Sequence, residues 1–168
     1  MIDTSYVRTM AHYNAWQNDN LYAAAAMLDD AARRQDRGAF FKSIHGTLCH
    51  LLWADRMWLS RFAGTPKPAV RIHDSPDLVA SWDDLVLERK AFDQTITDWA
   101  AGLSGDWLAG DLTWFSGATQ REMRKPVALL VTHMFNHQTH HRGQAHAMLT
   151  AAGARPEDTD LMLIDVTR

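Results

Sequence analysis

The chain has 168 residues, 46% of them hydrophobic and 22% charged, which is an ordinary balance for one globular domain with its own core. A net charge of −3 gives no basic footprint for nucleic acid, and no run approaches the roughly 18 to 20 apolar residues that a membrane span needs. The N-terminus resembles no secretory signal, and a single cysteine, Cys49, excludes an internal disulfide. We therefore expect one domain over residues 1–168, located in the cytoplasm.

The apolar pattern predicts four long helices and hence an all-α fold. The first is predicted over about 4–28, with Thr4 or Ser5 as its cap. The second is predicted over about 40–62, because Gly64 stands where a left-handed glycine commonly ends a helix.

The segments between and after these helices are more polar. Residues 29–38 are charged and lack apolar positions, so we expect a loop, and residues 64–76 form a Pro-rich connection. The third helix should begin at Ser81, which acidic residues follow, and end near Gly102. Residues 103–125 are expected to form a short β-hairpin or an ordered loop.

The last helix should begin at Pro126 and end before Gly153, since proline suits the first helical position and glycine the stop. The tail, residues 154–168, is too short for a domain and is expected to pack along the helices. Four helices with one long crossover and an inserted hairpin favour an antiparallel four-helix bundle.

The last helix carries histidines on the face that should be apolar. Its apolar residues recur in steps of three or four, and the same steps fill the central gap with His137 and His141. At about 100° per residue, both lie within roughly 40° of the middle of the apolar stripe, while His133 lies about 80° away and His140 and His146 lie farther out.

Two inward imidazoles one turn apart can direct ring nitrogens at a common point, and H-x-x-x-H is a metal-chelating spacing. The alternative is a pair of core histidines that bond neighbouring hydroxyl or carbonyl groups. A third ligand has to come from another helix, and the second helix offers His45 and His50. These two lie roughly 140° apart around the helix, so both cannot face one site. Helical phase prefers His50 only modestly, because this helix has a wide apolar surface.

Two strings resemble the DinB/YfiT-like family of metal-binding four-helix bundles, namely TLCHLLWADRMWLSRFAG at 47–64 and HMFNHQTHHRGQAHAML at 133–149. The segments YNAWQNDNL at 13–21 and DLMLIDV at 160–166 are also similar to that family. The resemblance therefore covers nearly the whole chain. It implies an up-down-down-up bundle and a homodimer.

In that family, a histidine within the second helix and an H-x-x-x-H pair on the fourth form a three-histidine metal site. Matched position by position, the resemblance implies His50, His137 and His141 as the metal ligands. Three neutral imidazoles suit transition metals and not Mg or Ca, which prefer oxygen donors. We expect Zn or Ni first, with Fe or Cu as alternatives.

Helical phase and the resemblance also give expectations for neighbouring residues. His140 is expected on the surface or beside the ligands, and His133 as a boundary histidine with its hydrogen bonds satisfied. Gly143 is expected to let another helix or chain approach closely. Cys49 is expected to be a small buried thiol.

Three protein ligands leave at least one position for water or a substrate, which favours chemistry over a closed structural site. The ion could lower the pKa of a bound water or thiol and present it as a nucleophile. A zincin mechanism is excluded because Gln138 and not glutamate follows His137. Ferritin-like di-iron chemistry is excluded because none of the three glutamates has a histidine three residues later.

Some relatives implied by the resemblance are thiol-dependent S-transferases or isomerases, others are stress proteins without an assigned reaction, and hydrolase activity has been proposed for some. A metal-bound thiol needs no protein base, and the sequence offers none, since Asp55 lies five residues past His50 and points elsewhere. Our leading hypothesis is a metal-dependent enzyme that transfers a low-molecular-weight thiol to a small-molecule electrophile in detoxification or stress response. The alternatives are a hydrolase that uses metal-bound water, and a non-enzymatic, metal-stabilised stress-response bundle whose seven tryptophans line a pocket.

Overall fold

The computed structural model describes residues 1–117 and 119–164. Its helices are α1 (Thr4–Ala26), α2 (Asp30–Arg34), α3 (Ile44–Ala63), α4 (Trp82–Ala101), α5 (Gly105–Ala109) and α6 (Val127–Ala151). Two 3-10 helices cover Ile72–Asp77 and Leu161–Leu163, and an antiparallel hairpin is formed by β1 (Asp111–Ser116) and β2 (Arg121–Pro126). The prediction of a mainly helical chain is confirmed. Of the two alternatives for residues 103–125, a hairpin or an ordered loop, the structure has the hairpin, which the short helix α5 precedes.

The first helix begins at Thr4, as predicted, but it ends at Ala26 instead of about residue 28 and has a different cap. The cap of α1 is Asp3, whose carboxylate accepts a hydrogen bond from the Tyr6 backbone N–H at 2.8 Å, so the prediction of Thr4 or Ser5 was wrong. The segment predicted as a loop over 29–38 contains α2, which Asp29 caps through the Ala32 N–H at 2.7 Å. A single helical turn is too short to give an apolar period, so the sequence pattern does not show it.

The second predicted helix, α3, begins at Ile44 and not near residue 40. Ser43 is extended and its hydroxyl accepts from the Gly46 N–H at 3.0 Å, which fixes the start of the helix. At the other end, Gly64 has a φ of 68°, as a left-handed glycine cap requires. α4 is capped by Ser81, as predicted.

The four long helices surround a common core. α1 packs against α4 and α6, and α3 packs against the same two helices from the other side. Among the described residues, no helix combines the length and the apolar character needed to cross a membrane. The up-down-down-up order of helix directions stays a prediction.

The core is divided along the bundle into two apolar clusters with a polar layer between them. On α6, residues 127–135 belong to one cluster and residues 145–149 to the other. The intervening turns carry His137, Gln138, His141 and Arg142. Helices α1 and α4 follow the same order. Each has apolar residues of one cluster near each end, and a buried polar residue, Asn14 on α1 and Arg89 on α4, between them.

The polar layer contains a buried polar cluster beside the histidines. Its members come from all four long helices and are at most 6% exposed: Asn14, Asn18, Asp55, Arg89, Asp93, Gln138 and Arg142. The two arginines balance the two aspartates, as a buried charged group requires. Arg89 lies at the centre and contacts Asp55 at 2.7 Å and Asp93 at 2.8 Å.

The C-terminal tail packs along α1, as expected. The Tyr13 hydroxyl donates to the Thr159 carbonyl at 2.6 Å, and the Gln17 amide donates to the Asp158 carbonyl at 3.0 Å. The family-like string at 160–166 runs into residues 165–168, which lie outside the described residues.

Two helical glycines should respond in opposite ways to alanine. A Cβ atom at Gly46 would lie 2.6 Å from the Phe41 carbonyl oxygen, whereas a Cβ atom at Gly143 meets nothing within 4 Å among the described residues. Gly46→Ala should therefore lower the free energy of unfolding by about 1–3 kcal/mol. Gly143→Ala should raise it by about 0.5–1 kcal/mol, because alanine is the better helix former.

Urea denaturation of the two variants measures this difference. A neutral or stabilising Gly46→Ala would contradict the close contact with Phe41. The open space at Gly143 also corrects the expectation that this glycine admits another helix of the same chain, because no described residue of another helix lies within 4 Å of a Cβ atom there. The alternative, close approach of another chain, stays a prediction.

Candidate metal centre

Helices α3 and α6 bring three imidazoles together in the polar layer. His50 comes from α3, and His137 and His141 come from successive turns of α6. One ring nitrogen of each lies within 4.8 Å of the others, so that the three histidines form a group that could hold a metal ion. His50 and His141 are only 1% and 7% exposed, whereas His137 is partly exposed and leaves the group accessible from one side.

Hydrogen bonds fix which nitrogen of His50 is free to bind a metal. The Ser75 hydroxyl donates its proton to the Ile72 carbonyl at 2.6 Å. The Ser75 hydroxyl oxygen therefore accepts a hydrogen bond from the Nδ1–H of His50, which lies 2.8 Å away. The lone pair of His50 is consequently on Nε2, which faces His137.

The same argument applies to His141. Its Nδ1 lies 2.8 Å from the Gln144 side-chain carbonyl oxygen, which can only accept, so Nδ1 carries the proton. The lone pair is then on Nε2. A partner that holds the outer nitrogen of a histidine is the usual arrangement around protein metal sites.

The separation of two ring nitrogens fits two ligands of one ion. The Nε2 atoms of His50 and His137 are 3.3 Å apart. Two nitrogens bound at about 2.0–2.1 Å to a tetrahedral ion are about 3.3–3.4 Å apart. The donor set also fits, because neutral imidazoles bind transition metals.

Comparison with known proteins gives the family. A family model described as the DinB family matches residues 1–167 of the chain. The chain belongs to the DinB family. Protein DinB of Bacillus subtilis (strain 168) is 24% identical over 149 residues, which cover 88% of this chain and 87% of that protein. The resemblance found in the sequence motifs is thereby confirmed, and the three-histidine group of this DinB-family protein fits a metal-binding site.

Apolar rings enclose the inner side of the group. The Phe41 ring stacks on His50 with ring centroids 3.7 Å apart, and the Trp53 ring lies 5.8 Å from His50 on centroids. Burial, together with the neighbouring imidazoles, lowers the pKa of His50 and of His137 to about 3. Burial also lowers the pKa of His141. The site therefore favours neutral imidazoles, the form that binds a metal.

Metal-free DinB-family protein should lose stability as the pH falls. The folded pKa of His50 is about 3, below the unfolded value of about 6.5, so the unfolded chain takes up the proton first. The stability that neutral His50 contributes is complete above about pH 6.5 and is lost progressively towards pH 3. Between pH 7 and pH 5, this loss should be about 2 kcal/mol.

Urea denaturation with a chelator at pH 7 and pH 5 measures this loss, with His50→Phe as the reference variant. The difference between the two pH values should be about 2 kcal/mol smaller in His50→Phe. An identical pH dependence in both proteins would show that His50 does not resist protonation.

The remaining candidates on α3 face away from the group. His45 is buried with its Nε2 2.8 Å from the Val79 carbonyl oxygen, which serves as its hydrogen-bond acceptor. The Cys49 thiol donates to the same carbonyl at 3.5 Å, and burial raises the pKa of this thiol to about 11. Cys49 is thus a small buried thiol, as expected, and stays protonated.

The other histidines of α6 lie at the rim. His140 is exposed and accepts from the Gln144 amide, whose oxygen holds His141. His133 is exposed and packs edge-on against Trp58 with centroids 5.2 Å apart. The position of His140 agrees with the expectation, whereas His133 is more exposed than the boundary position that helical phase predicted.

Sequence reasoning missed three residues that shape the group. Ser75 lies in the Pro-rich connection, and Phe41 precedes the helix cap, so no periodic pattern places either beside His50. Gln144 offered a weak signal, because it stands three residues after His141 on the same helix, a spacing at which side chains meet.

Two cavities lie apart from the three histidines. One of about 410 Å³ is lined by His146 and residues 156–159 of the tail. The other, of about 250 Å³, lies between α1 and α6 beside Tyr13 and Gly143. Neither is lined by a member of the histidine group.

Proposed function

We propose that His50, His137 and His141 bind one divalent transition metal, Zn or Ni first and Fe as an alternative, and that the loaded protein is an enzyme. The observation that carries the proposal is the convergence of the three ring nitrogens in a buried group, with the outer nitrogens of His50 and His141 already committed to Ser75 and Gln144. Three protein ligands leave a position for an exogenous group, which favours chemistry over a structural role.

The reaction that we propose first is transfer of a low-molecular-weight thiol to a small-molecule electrophile, in detoxification or stress response. A divalent metal in such a site lowers the pKa of a thiol or water that binds it. Among the described residues, the protein supplies neither a thiolate nor a free carboxylate there. Cys49 is buried and protonated, and Asp55 is occupied by Arg89 and Gln138.

The protein's part in this reaction is to bind, orient and exclude water. The stacked ring of Phe41 and the buried Trp53 keep solvent from the inner side of His50. The partly exposed His137 marks the side on which a thiol and its acceptor can approach. With a chloro-nitroaromatic acceptor, a C–S bond forms and the C–Cl bond breaks, chloride leaves with the electron pair, and the thiol proton goes to solvent.

The test is turnover of a chloro-nitroaromatic compound with several low-molecular-weight thiols, in metal-loaded and metal-free protein. We expect turnover that requires both metal and thiol. The substitution His137→Ala should abolish this turnover. If no thiol gives a metal-dependent rate, thiol transfer is wrong.

The same assay separates the alternatives. Hydrolysis of an amide or ester predicts product without added thiol, and it is supported by the solvent access at His137. A non-enzymatic, metal-stabilised bundle predicts a change in melting temperature on metal removal without turnover of any substrate. Most of the tryptophans near the hairpin have a simpler role, since Trp58, Trp99 and Trp107 pack around Phe62.

A homodimer and a cytoplasmic location, both implied at the sequence level, also remain proposals. Light scattering of the purified protein tests the dimer, for which a mass near twice the 19.0 kDa of one chain is expected. A mass of one chain at all concentrations would contradict it.

A further inference from the structure

The buried polar cluster contacts the same two helices that carry the three histidines. Gln138 directly follows His137 on α6, and its amide donates to Asp55 on α3 at 2.8 Å. Asp55 lies five residues after His50. The helices α3 and α6 are therefore joined by two polar pairs in this layer, His50–His137 and Asp55–Gln138.

Two separate contacts restrict the rotation of a helix about its axis more than one contact does. A single contact between two helices permits each helix to rotate about its axis, whereas a second contact on another face prevents this. With Cα atoms about 2.3 Å from the axis and ring nitrogens several Å farther out, a rotation of about 20° moves such a nitrogen by about 2 Å. That displacement equals a whole metal–nitrogen bond of about 2.0–2.1 Å, so the rotation of α6 has to be held closely.

Asp55 is itself held in place. One carboxylate oxygen accepts from Gln138, and the other accepts from Arg89 at 2.7 Å. Arg89 also contacts Asp93 on its own helix at 2.8 Å. The contact that Gln138 makes is thus anchored to α4 through Arg89 rather than to one mobile side chain.

The side chain of Gln138 is committed to Asp55 through its amide nitrogen. The side chain is 0% exposed, and its carbonyl oxygen has no hydrogen-bond partner among the described residues. A buried acceptor without a partner costs about 1–3 kcal/mol. An apolar side chain would remove this unpaired acceptor, but it would leave a buried carboxylate oxygen of Asp55 without its donor. The amide is therefore needed to keep the contact between α3 and α6.

We propose that Gln138 is a positioning residue for the metal centre, which holds His137 and His141 in line with His50 through its hydrogen bond to Asp55. This inference rests on the proposed metal site. It does not depend on the reaction that the site performs.

The test compares Gln138→Met with Asn18→Leu, using Co²⁺ as the probe. Both variants replace a buried amide by an apolar side chain of similar size, and both remove hydrogen bonds to a buried aspartate. The hydrogen bonds of Asn18, however, join α1 to α4, and among the described residues its side chain donates to neither ligand helix. Melting temperatures of the metal-free proteins, Co²⁺ affinity and the Co²⁺ absorption spectrum are measured for both variants and for the wild type.

We expect Gln138→Met to bind Co²⁺ about tenfold more weakly, with an altered absorption spectrum, while Asn18→Leu keeps the wild-type affinity and spectrum. Wild-type affinity and spectrum in Gln138→Met would overturn the inference, as would equal loss of affinity in both variants. If the wild type itself binds no Co²⁺, the metal proposal fails first and this inference with it.

If Gln138→Met does not fold, Gln138→Asn replaces it. This variant keeps the amide but is one methylene too short to reach Asp55 without movement of α6. The same loss of affinity is expected, and unchanged Co²⁺ binding in a folded Gln138→Asn overturns the inference.

Discussion

Replacing any one of His50, His137 and His141 by alanine should abolish stoichiometric metal binding. Among the residues that the structure describes, these three supply the converging ring nitrogens. Loss of one leaves a two-ligand site in a position where burial already disfavours ionic groups. The metal content of purified variants, measured by elemental analysis, gives the result directly. We expect about one ion per chain in the wild type and far less than one in each variant.

His140→Ala is the matched control. His140 is adjacent to His141 in sequence, and its ring centroid lies 4.8 Å from that of His141, yet it is exposed and its ring accepts from Gln144. It should keep its metal. Equal metal loss in His140→Ala would show that the helical phase that selects the ligands is wrong.

Arg89→Met should destabilise the protein more than any surface substitution. The Arg89 side chain is 3% exposed and contacts the carboxylates of Asp55 and Asp93, whose side chains are 2% and 8% exposed. Without the guanidinium, two buried carboxylates on neighbouring helices lose their counter-charge. Breaking a buried ion pair in this way costs about 3–5 kcal/mol, which is a large part of the stability of an ordinary domain.

Arg56→Met provides the comparison for this effect. Arg56 also joins α3 to α4, through Glu88 at 2.9 Å, but both side chains are partly exposed. Its loss should cost about 1 kcal/mol or less. Urea denaturation of both variants measures the difference. Similar small losses in both would show that the buried polar cluster is not held together by charge.

Much of the fold follows from the sequence because each long helix carries its own signals. The apolar period, the Ser81 cap and the Gly64 stop are local features that do not depend on distant residues. The start of α3 was misplaced for a physical reason. The apolar residues Phe40 and Phe41 continue the helical pattern, but Phe41 leaves the helix and stacks on His50.

The candidate site could be predicted only in part. The spacing of His137 and His141 showed their common direction, whereas the choice of His50 over His45 needed the family resemblance. Ser75 and Gln138 were missed because their partners lie 25 and 83 residues away in the chain. A polar residue whose partner is brought near only by tertiary packing has no local signature.

Diffraction from crystals of metal-loaded protein, with an anomalous difference map at the absorption edge of the metal, tests the central claim most directly. We predict one strong peak about 2.0–2.1 Å from a ring nitrogen of each of His50, His137 and His141. A peak bound by other residues, or a loaded protein in which these three rings contact no ion, would contradict the account.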